Sequence, residues 1–253
     1  MMIVKFGGHA MKDTEGLFAR SIGLALSKGE KVIVVHGGGP QINSELSRLN
    51  IVSTFVNGYR YTTEKIFAVV ENVLANVVGP EVALQLNAHG IQAQSISGKE
   101  TKILIGSPIE GLGKVGKISE VDINPLDELL DAGFVPVLAP LAVDMTGGIG
   151  LNINADLAAA AISAAYFEST LIIMTDVAGI YRSWPDTNSL IDEISSAELR
   201  ELKSNFSEGM LPKVQAALEA VEAGARTVRI IDGTNDLSFE QALSGHGGTL
   251  VHA

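Results

Sequence analysis

Five short runs along the chain are dominated by apolar, largely β-branched residues: 2–6, 32–35, 135–139, 171–175 and 227–232. Runs of this length are too short for helices, and their lack of polar alternation predicts strands buried on both faces, as in a parallel sheet. Between them the apolar positions return at helical spacing. Leu17, Phe18 and Ile22 form one such stripe, with Asp13 or Thr14 as its cap and Gly29 as its C′ residue. Residues 40–49 predict a helix, and a longer helical pattern follows Thr62 or Thr63 until Gly79 and Pro80 kink or divide it. Further helices are predicted from Asn124 to Gly133, over the alanine-dense 155–166, and over 197–203 and 210–223. Residues 92–97 predict a strand, and 102–121 alternate around glycines, which predicts hairpins. The alternation of elements predicts an α/β fold, a three-layer αβα sandwich around a mainly parallel open sheet.

Two of the strands end in glycine. Lys5 and Phe6 are followed by Gly7 and Gly8, and His36 by Gly37, Gly38 and Gly39, with Pro40 opening a helix. A strand, a bare backbone turn and a helix start leave several N–H groups unpaired at the positive end of the helix dipole, so the second turn predicts an anion site. Neither turn has the spacing of a P-loop or of a dinucleotide-binding GxGxxG.

Composition narrows the class. With 253 residues, 46% apolar and 19% charged, the chain can bury a large core. A net charge of −11 argues against nucleic-acid or acidic-membrane partners, so an anionic ligand must be held by local groups. The absence of cysteine rules out disulfides, thiolate catalysis and Cys-ligated zinc. The sequence opens on a strand without a secretory h-region, and no apolar run reaches spanning length, so a cytoplasmic enzyme is expected.

Charged residues in unusual places supply the candidate chemistry. Lys5 lies inside an apolar strand, where a lysine either snorkels to the sheet edge or meets an anion. Lys213 follows Gly209, Met210 and Pro212 in the first turn of a helix. Asn152, Asn154 and Asp156 precede the alanine-rich helix, where Asn154 is a natural cap and Asp156 favours the dipole; Asn152 has no such local explanation. Arg60 can offer a bidentate fork to a carboxylate, and Asp176 to Tyr181 follow a strand end of the kind that borders nucleotides.

Taken together and in order, VKFGG at 4–8, VHGGGP at 35–40, NGYRYT at 57–62, SISGK at 95–99, NINAD at 152–156, TDVAG at 175–179, GMLPK at 209–213 and RIIDG at 229–233 resemble the amino acid kinase family over nearly the full length. The resemblance implies transfer of the γ-phosphate of ATP to the side-chain carboxylate of N-acetyl-L-glutamate, a step of arginine biosynthesis. It implies Lys5 and Lys213 as transition-state cations, with Asp156 orienting them. Gly38, Gly39, Arg60 and Asn152 would contact the acylated amino acid, and Gly7 and Gly8 the phosphates. Asp176, Val177, Ala178, Gly179, Ile180, Tyr181, Gly209 and Met210 would border the nucleotide. Mg²⁺ would be held mainly by the phosphates, with no protein metal site. Residues 1–167 would form an acid-binding and dimerising lobe and 168–253 an ATP-binding lobe, in a homodimer insensitive to arginine. Since a carboxylate is ionised at neutral pH, no general base is needed, and His36 is expected to position rather than to react. A kinase for aminoadipate, carrier-linked or acetylated, and a nucleotide-binding protein without catalysis are the alternatives.

Overall fold

The computed structural model describes residues 1–7, 16–146, 148–206, 210–235 and 237–253. In chain order they form β1 (Met2–Phe6), α1 (Leu17–Ser27), β2 (Val32–His36), α2 (Gly39–Arg48), β3 (Phe55–Val56), β4 (Tyr59–Arg60) and α3 (Glu64–Val73). A π-helical turn, Leu74–Val78, leads into α4 (Gly79–Ala88), then β5 (Ala93–Ser97), β6 (Leu104–Pro108), β7 (Gly116–Val121), α5 (Asn124–Asp131) and β8 (Val135–Ala139). The remainder is β9 (Leu141–Asp144), β10 (Gly150–Asn152), α6 (Ala155–Ala165), β11 (Thr170–Thr175), β12 (Glu193–Ser195), α7 (Ser196–Leu202), α8 (Leu211–Glu222), β13 (Thr227–Asp232), α9 (Ser238–Leu243) and β14 (Thr249–His252).

The chain divides into two compact units, one of Met1–Val32 with Ala159–Ala253, the other Ile33–Ala158. The expected boundary after residue 167 falls inside the first of these, which also takes in the first strand and helix. In that unit the strand order is β12-β14-β13-β11-β1. β1, β11 and β13 are parallel, with Lys5 opposite Ile173, while β14 runs antiparallel to β13 and parallel to β12. Every residue of β1 is buried, as its apolar run predicts, and the burial extends to Lys5. Phe6 stacks on Phe18 of α1 with ring centroids 3.8 Å apart, and Phe18 meets Phe239 of α9 edge-on at 6.1 Å, so one aromatic column fixes both helices to the strand.

In the second unit β2, β8 and β5 are parallel, and all five residues of β2 and of β8 are buried. A further sheet has the order β10-β9-β6-β7, and its β6–β7 hairpin realises the one predicted over 102–121. Thr63 caps α3 by accepting from the Ile66 N–H at 3.3 Å. The interruption expected at Gly79 and Pro80 takes the form of the π turn, which carries one helical run from Glu64 to Ala88. Pro80 has no N–H to return to the preceding turn, and widening that turn relieves the mismatch without a sharp kink. By length and composition this run could cross a bilayer, contrary to the sequence expectation; 56% of its most apolar window is buried within the protein. Ile66, Phe67, Val69, Val70 and Val73 form the buried stripe of α3, the pattern of an amphipathic core helix.

Other boundaries differ from expectation. The cap position of α5 is Ile123, and the Asp122 carboxylate accepts from the Asn124 N–H at 3.0 Å, so Asn124 opens the helix rather than capping it. A strand, β14, follows the one predicted last. Asp13 and Thr14, the expected caps of α1, lie outside the described residues, as do Gly8 and Gly209.

Candidate functional site

In the first unit a cavity of about 910 Å³ opens where β11 ends. Thr175, Asp176, Val177, Tyr181, Asn205, Met210 and Lys213 line it, together with Arg182, Ser183, Trp184 and Phe206. The crevice beyond a parallel strand's carboxyl end is where an open α/β sheet accepts a nucleotide, because backbone groups there are left unpaired. Tyr181 and Trp184 meet edge to face at 5.1 Å. Their rings give the cavity an aromatic wall; Tyr181 was expected there, whereas Trp184 lies beyond the motif and its one signal was being the single tryptophan. Lys213 stands in the first turn of α8, its N–H bonded to the Met210 carbonyl at 3.0 Å. Leu211 is the first residue of that helix and Pro212 the second, where a missing N–H costs no intrahelical bond.

Not every residue expected at the nucleotide faces the cavity. Ala178 is absent from its lining, and Ile180 is fully buried. The Ile180 N–H donates to Thr249 Oγ1 at 2.8 Å, and that hydroxyl donates in turn to the Ile191 carbonyl at 2.6 Å. A Cβ on Gly179 would lie 3.0 Å from the Thr249 nitrogen, so glycine is needed where this bend is pressed against β14. Lys5 is 7% exposed and donates to the Met174 carbonyl at 3.2 Å, which sets its ammonium at the end of β11, one residue before the cavity-lining Thr175. Gly7 closes β1 and is buried.

In the second unit the residues expected to hold an acid form a connected set. Arg60 is buried, with its guanidinium 4.7 Å above the Phe55 ring. It donates to Ser53 Oγ at 2.6 Å and to Asn43 Oδ1 at 2.7 Å. Among the described residues no carboxylate pairs with it, and burial lowers its pKa from the ordinary arginine value. A buried cation held only by neutral acceptors keeps a charge that an anion could answer. Thr62, wholly buried, donates to the Arg60 carbonyl at 2.7 Å and accepts from Asn152 Nδ2 at 3.1 Å, so Arg60 and Asn152 are joined through a residue expected as a candidate start of the long helix and not as a link in the site. Asn43 lies on α2, the helix whose start carries Gly38 and Gly39. A Cβ on Gly38 would come within 2.6 Å of Leu74 Cδ2, whereas one on Gly39 would meet nothing within 4 Å. Gly38 is thus packed against Leu74, whose methyl would have to move for a side chain there, and Gly39 lies in the open. Asn154 caps α6 as predicted, accepting from the N–H groups of Asp156 and Leu157, and Asp156 is 4% exposed in the first turn.

His36 ends β2 with no exposed surface. Burial pushes its pKa down to about 4, against 6.5 for an ordinary histidine, so the folded chain binds fewer protons than the unfolded chain between these values. Its contribution to stability is complete above pH 6.5, declines as the pH falls toward 4 and levels off below. The expected loss from this group alone is about 3 kcal/mol. Urea midpoints measured at pH 7 and pH 4.5 test this, and His36→Asn is expected to flatten the difference.

A strand-end cavity lined by a helix-start lysine, and elsewhere a glycine turn beside a buried arginine, define an α/β protein equipped for a nucleotide and for an anionic small molecule. The chain belongs to the amino acid kinase family, whose model matches residues 1–232. Kinase activity and ATP use go with that membership. It is 40% identical over 242 residues to the acetylglutamate kinase of Streptomyces avermitilis, covering 92% of this chain and 80% of that one. It is also 40% identical to the acetylglutamate kinase of Salinispora tropica, covering 99% of this chain and 88% of that one. Among solved structures, smu.665 from Streptococcus mutans superposes with a TM-score of 0.87 at 28% identity, covering 100% and 98% of the two chains.

Proposed function

We propose that the chain transfers the γ-phosphoryl group of ATP to the side-chain carboxylate of N-acetyl-L-glutamate, forming an acyl phosphate and ADP in arginine biosynthesis. A carboxylate oxygen attacks the γ-phosphorus, the bond to the β,γ-bridging oxygen breaks, and ADP carries away the electron pair. No proton moves, so no general base is required. The barrier lies in the meeting of two anions, which calls for fixed cations and N–H groups around the migrating group.

The observation that carries this reading is Arg60: a buried guanidinium braced by Asn43 and Ser53, and linked through Thr62 to Asn152, is suited to an amino acid's α-carboxylate. The relatives' names point to the same substrate. In this reading Lys5, Lys213 and Asp156 are the catalytic side chains. Gly38, Gly39, Arg60 and Asn152 serve the acid, Gly7 and Gly8 the phosphates, and the segments 176–181 and 209–210 the nucleotide. In this reading Mg²⁺ rests mainly on the nucleotide's oxygens and neutralises their charge there. The reading includes acid binding and dimerisation by the N-terminal lobe, ATP binding by the C-terminal lobe, a homodimer and a cytoplasmic location.

ADP release measured in parallel with N-acetyl-L-glutamate, glutamate, aspartate, N-acetyl-aminoadipate and UMP tests the proposal, with hydroxylamine trapping of the acyl phosphate. Turnover is expected with N-acetyl-L-glutamate. Activity confined to UMP or to the aminoadipate derivative would replace the substrate, and silence with all five would leave a binding protein.

A further inference from the structure

The glycine turn after β2 contains a group that the phosphoryl transfer does not use. His36 is fully buried, and its Nδ1 lies 2.8 Å from the carbonyl oxygen of Gly37, its own neighbour. A carbonyl can only accept, so in the neutral ring the proton is on Nδ1 and Nε2 bears a lone pair. That Nε2 is buried with no hydrogen-bond partner among the described residues. Its surroundings are packed: a Cβ on Gly79 would stand 3.0 Å from it and would also collide with Ser95 Oγ. An imidazole that leaves one nitrogen unsatisfied in the core is a costly filler compared with leucine. What it provides in return is its other nitrogen.

The peptide between Gly37 and Gly38 is planar and trans, so its C=O and N–H point in opposite directions. Holding the Gly37 oxygen against the buried imidazole therefore turns the Gly38 N–H away from it. Two consecutive glycines would otherwise leave this peptide free to flip. Leu74 of the π turn blocks Gly38 on one side, which fixes the position of the turn but not the direction of its N–H.

We infer that His36 is a positioning residue: it locks the Gly37–Gly38 peptide plane and thereby aims the Gly38 N–H at the anion that this turn binds. The inference rests on the proposed acid kinase reading only for the identity of that anion. It predicts a distinction between volume and hydrogen bonding. His36→Leu keeps the buried bulk but loses the donor, whereas Asn in this position restores an N–H near the place of Nδ1.

The expected result for His36→Leu is a KM for N-acetyl-L-glutamate raised about tenfold or more, with the KM for ATP within about twofold of wild type. His36→Asn is expected to recover most of the loss. Equal kinetics for the two variants, an unchanged KM in the leucine variant, or losses that follow only the melting temperature would overturn the inference. A second measurement needs no turnover. In protein labelled with ¹⁵N, the His36 ring is expected to carry its proton on Nδ1 at pH 7, and the Gly38 amide resonance to shift on adding inorganic phosphate in wild type but not in His36→Leu. A proton on Nε2, or the same phosphate response in both proteins, overturns the inference. A wild-type protein inert toward N-acetyl-L-glutamate overturns the functional reading instead, and the phosphate response still decides the role of His36.

Discussion

Replacing Lys213 by alanine is expected to lower kcat about 10²- to 10³-fold, the usual consequence of removing one fixed charge from the place where transition-state charge develops. The side chain lines the cavity beyond β11 and leaves from the first turn of α8, so the same substitution has little reason to disturb the fold. Alanine is the better helix former, and the unfolding free energy from urea titration should change by no more than about 0.5 kcal/mol. The separation matters, because a loss of activity without a loss of stability marks a residue that meets the reacting groups. Steady-state kinetics with saturating ATP and N-acetyl-L-glutamate measure the effect, and an undiminished kcat removes Lys213 from the chemistry.

Arg60→Ala should fail in a different parameter. Truncating one partner of a buried, hydrogen-bonded charge pair costs several kcal/mol, so the KM for N-acetyl-L-glutamate should rise about 10²-fold or more while the KM for ATP stays put. Lysine is not a conservative replacement, since one ammonium cannot reach Ser53 Oγ and Asn43 Oδ1 from two edges and also present a fork to a carboxylate. Equal shifts in the two Michaelis constants would mean that Arg60 braces the fold rather than the substrate. Isothermal titration with N-acetyl-L-glutamate in the absence of nucleotide separates these outcomes without relying on turnover.

The frame of the molecule was legible in the sequence because a strand buried on both faces leaves an uninterrupted apolar run, as β1, β2, β8 and β11 do. The short strands were not. Leu141–Asp144 and Thr249–His252 are four residues each, and Gly150–Asn152 only three, too brief for a period to declare itself. The same contrast holds at the site. Lys5 and Asn152 stood out because each sits where its local pattern does not call for it, whereas Asp176 and Lys213 were marked by their motifs. The surroundings of Arg60 could not be read, because Asn43 is 17 positions away and Thr62 acts through its side chain toward Asn152, 90 positions on. These are tertiary facts with no periodic trace. The bend at Gly179 shows the opposite error: its motif suggested a nucleotide contact throughout, yet Ile180 within it is core.

The hydroxyl of Thr249 ties that bend to a strand 69 positions further along the chain. Until the later strand has been synthesised and docked, the buried Ile180 N–H has no acceptor and the cavity has no settled rim. The rim of the cavity is thus fastened by a contact of long sequence separation and closes only when β14 has docked, whereas the pairing of β11 with β1 and with β13 does not depend on that hydroxyl.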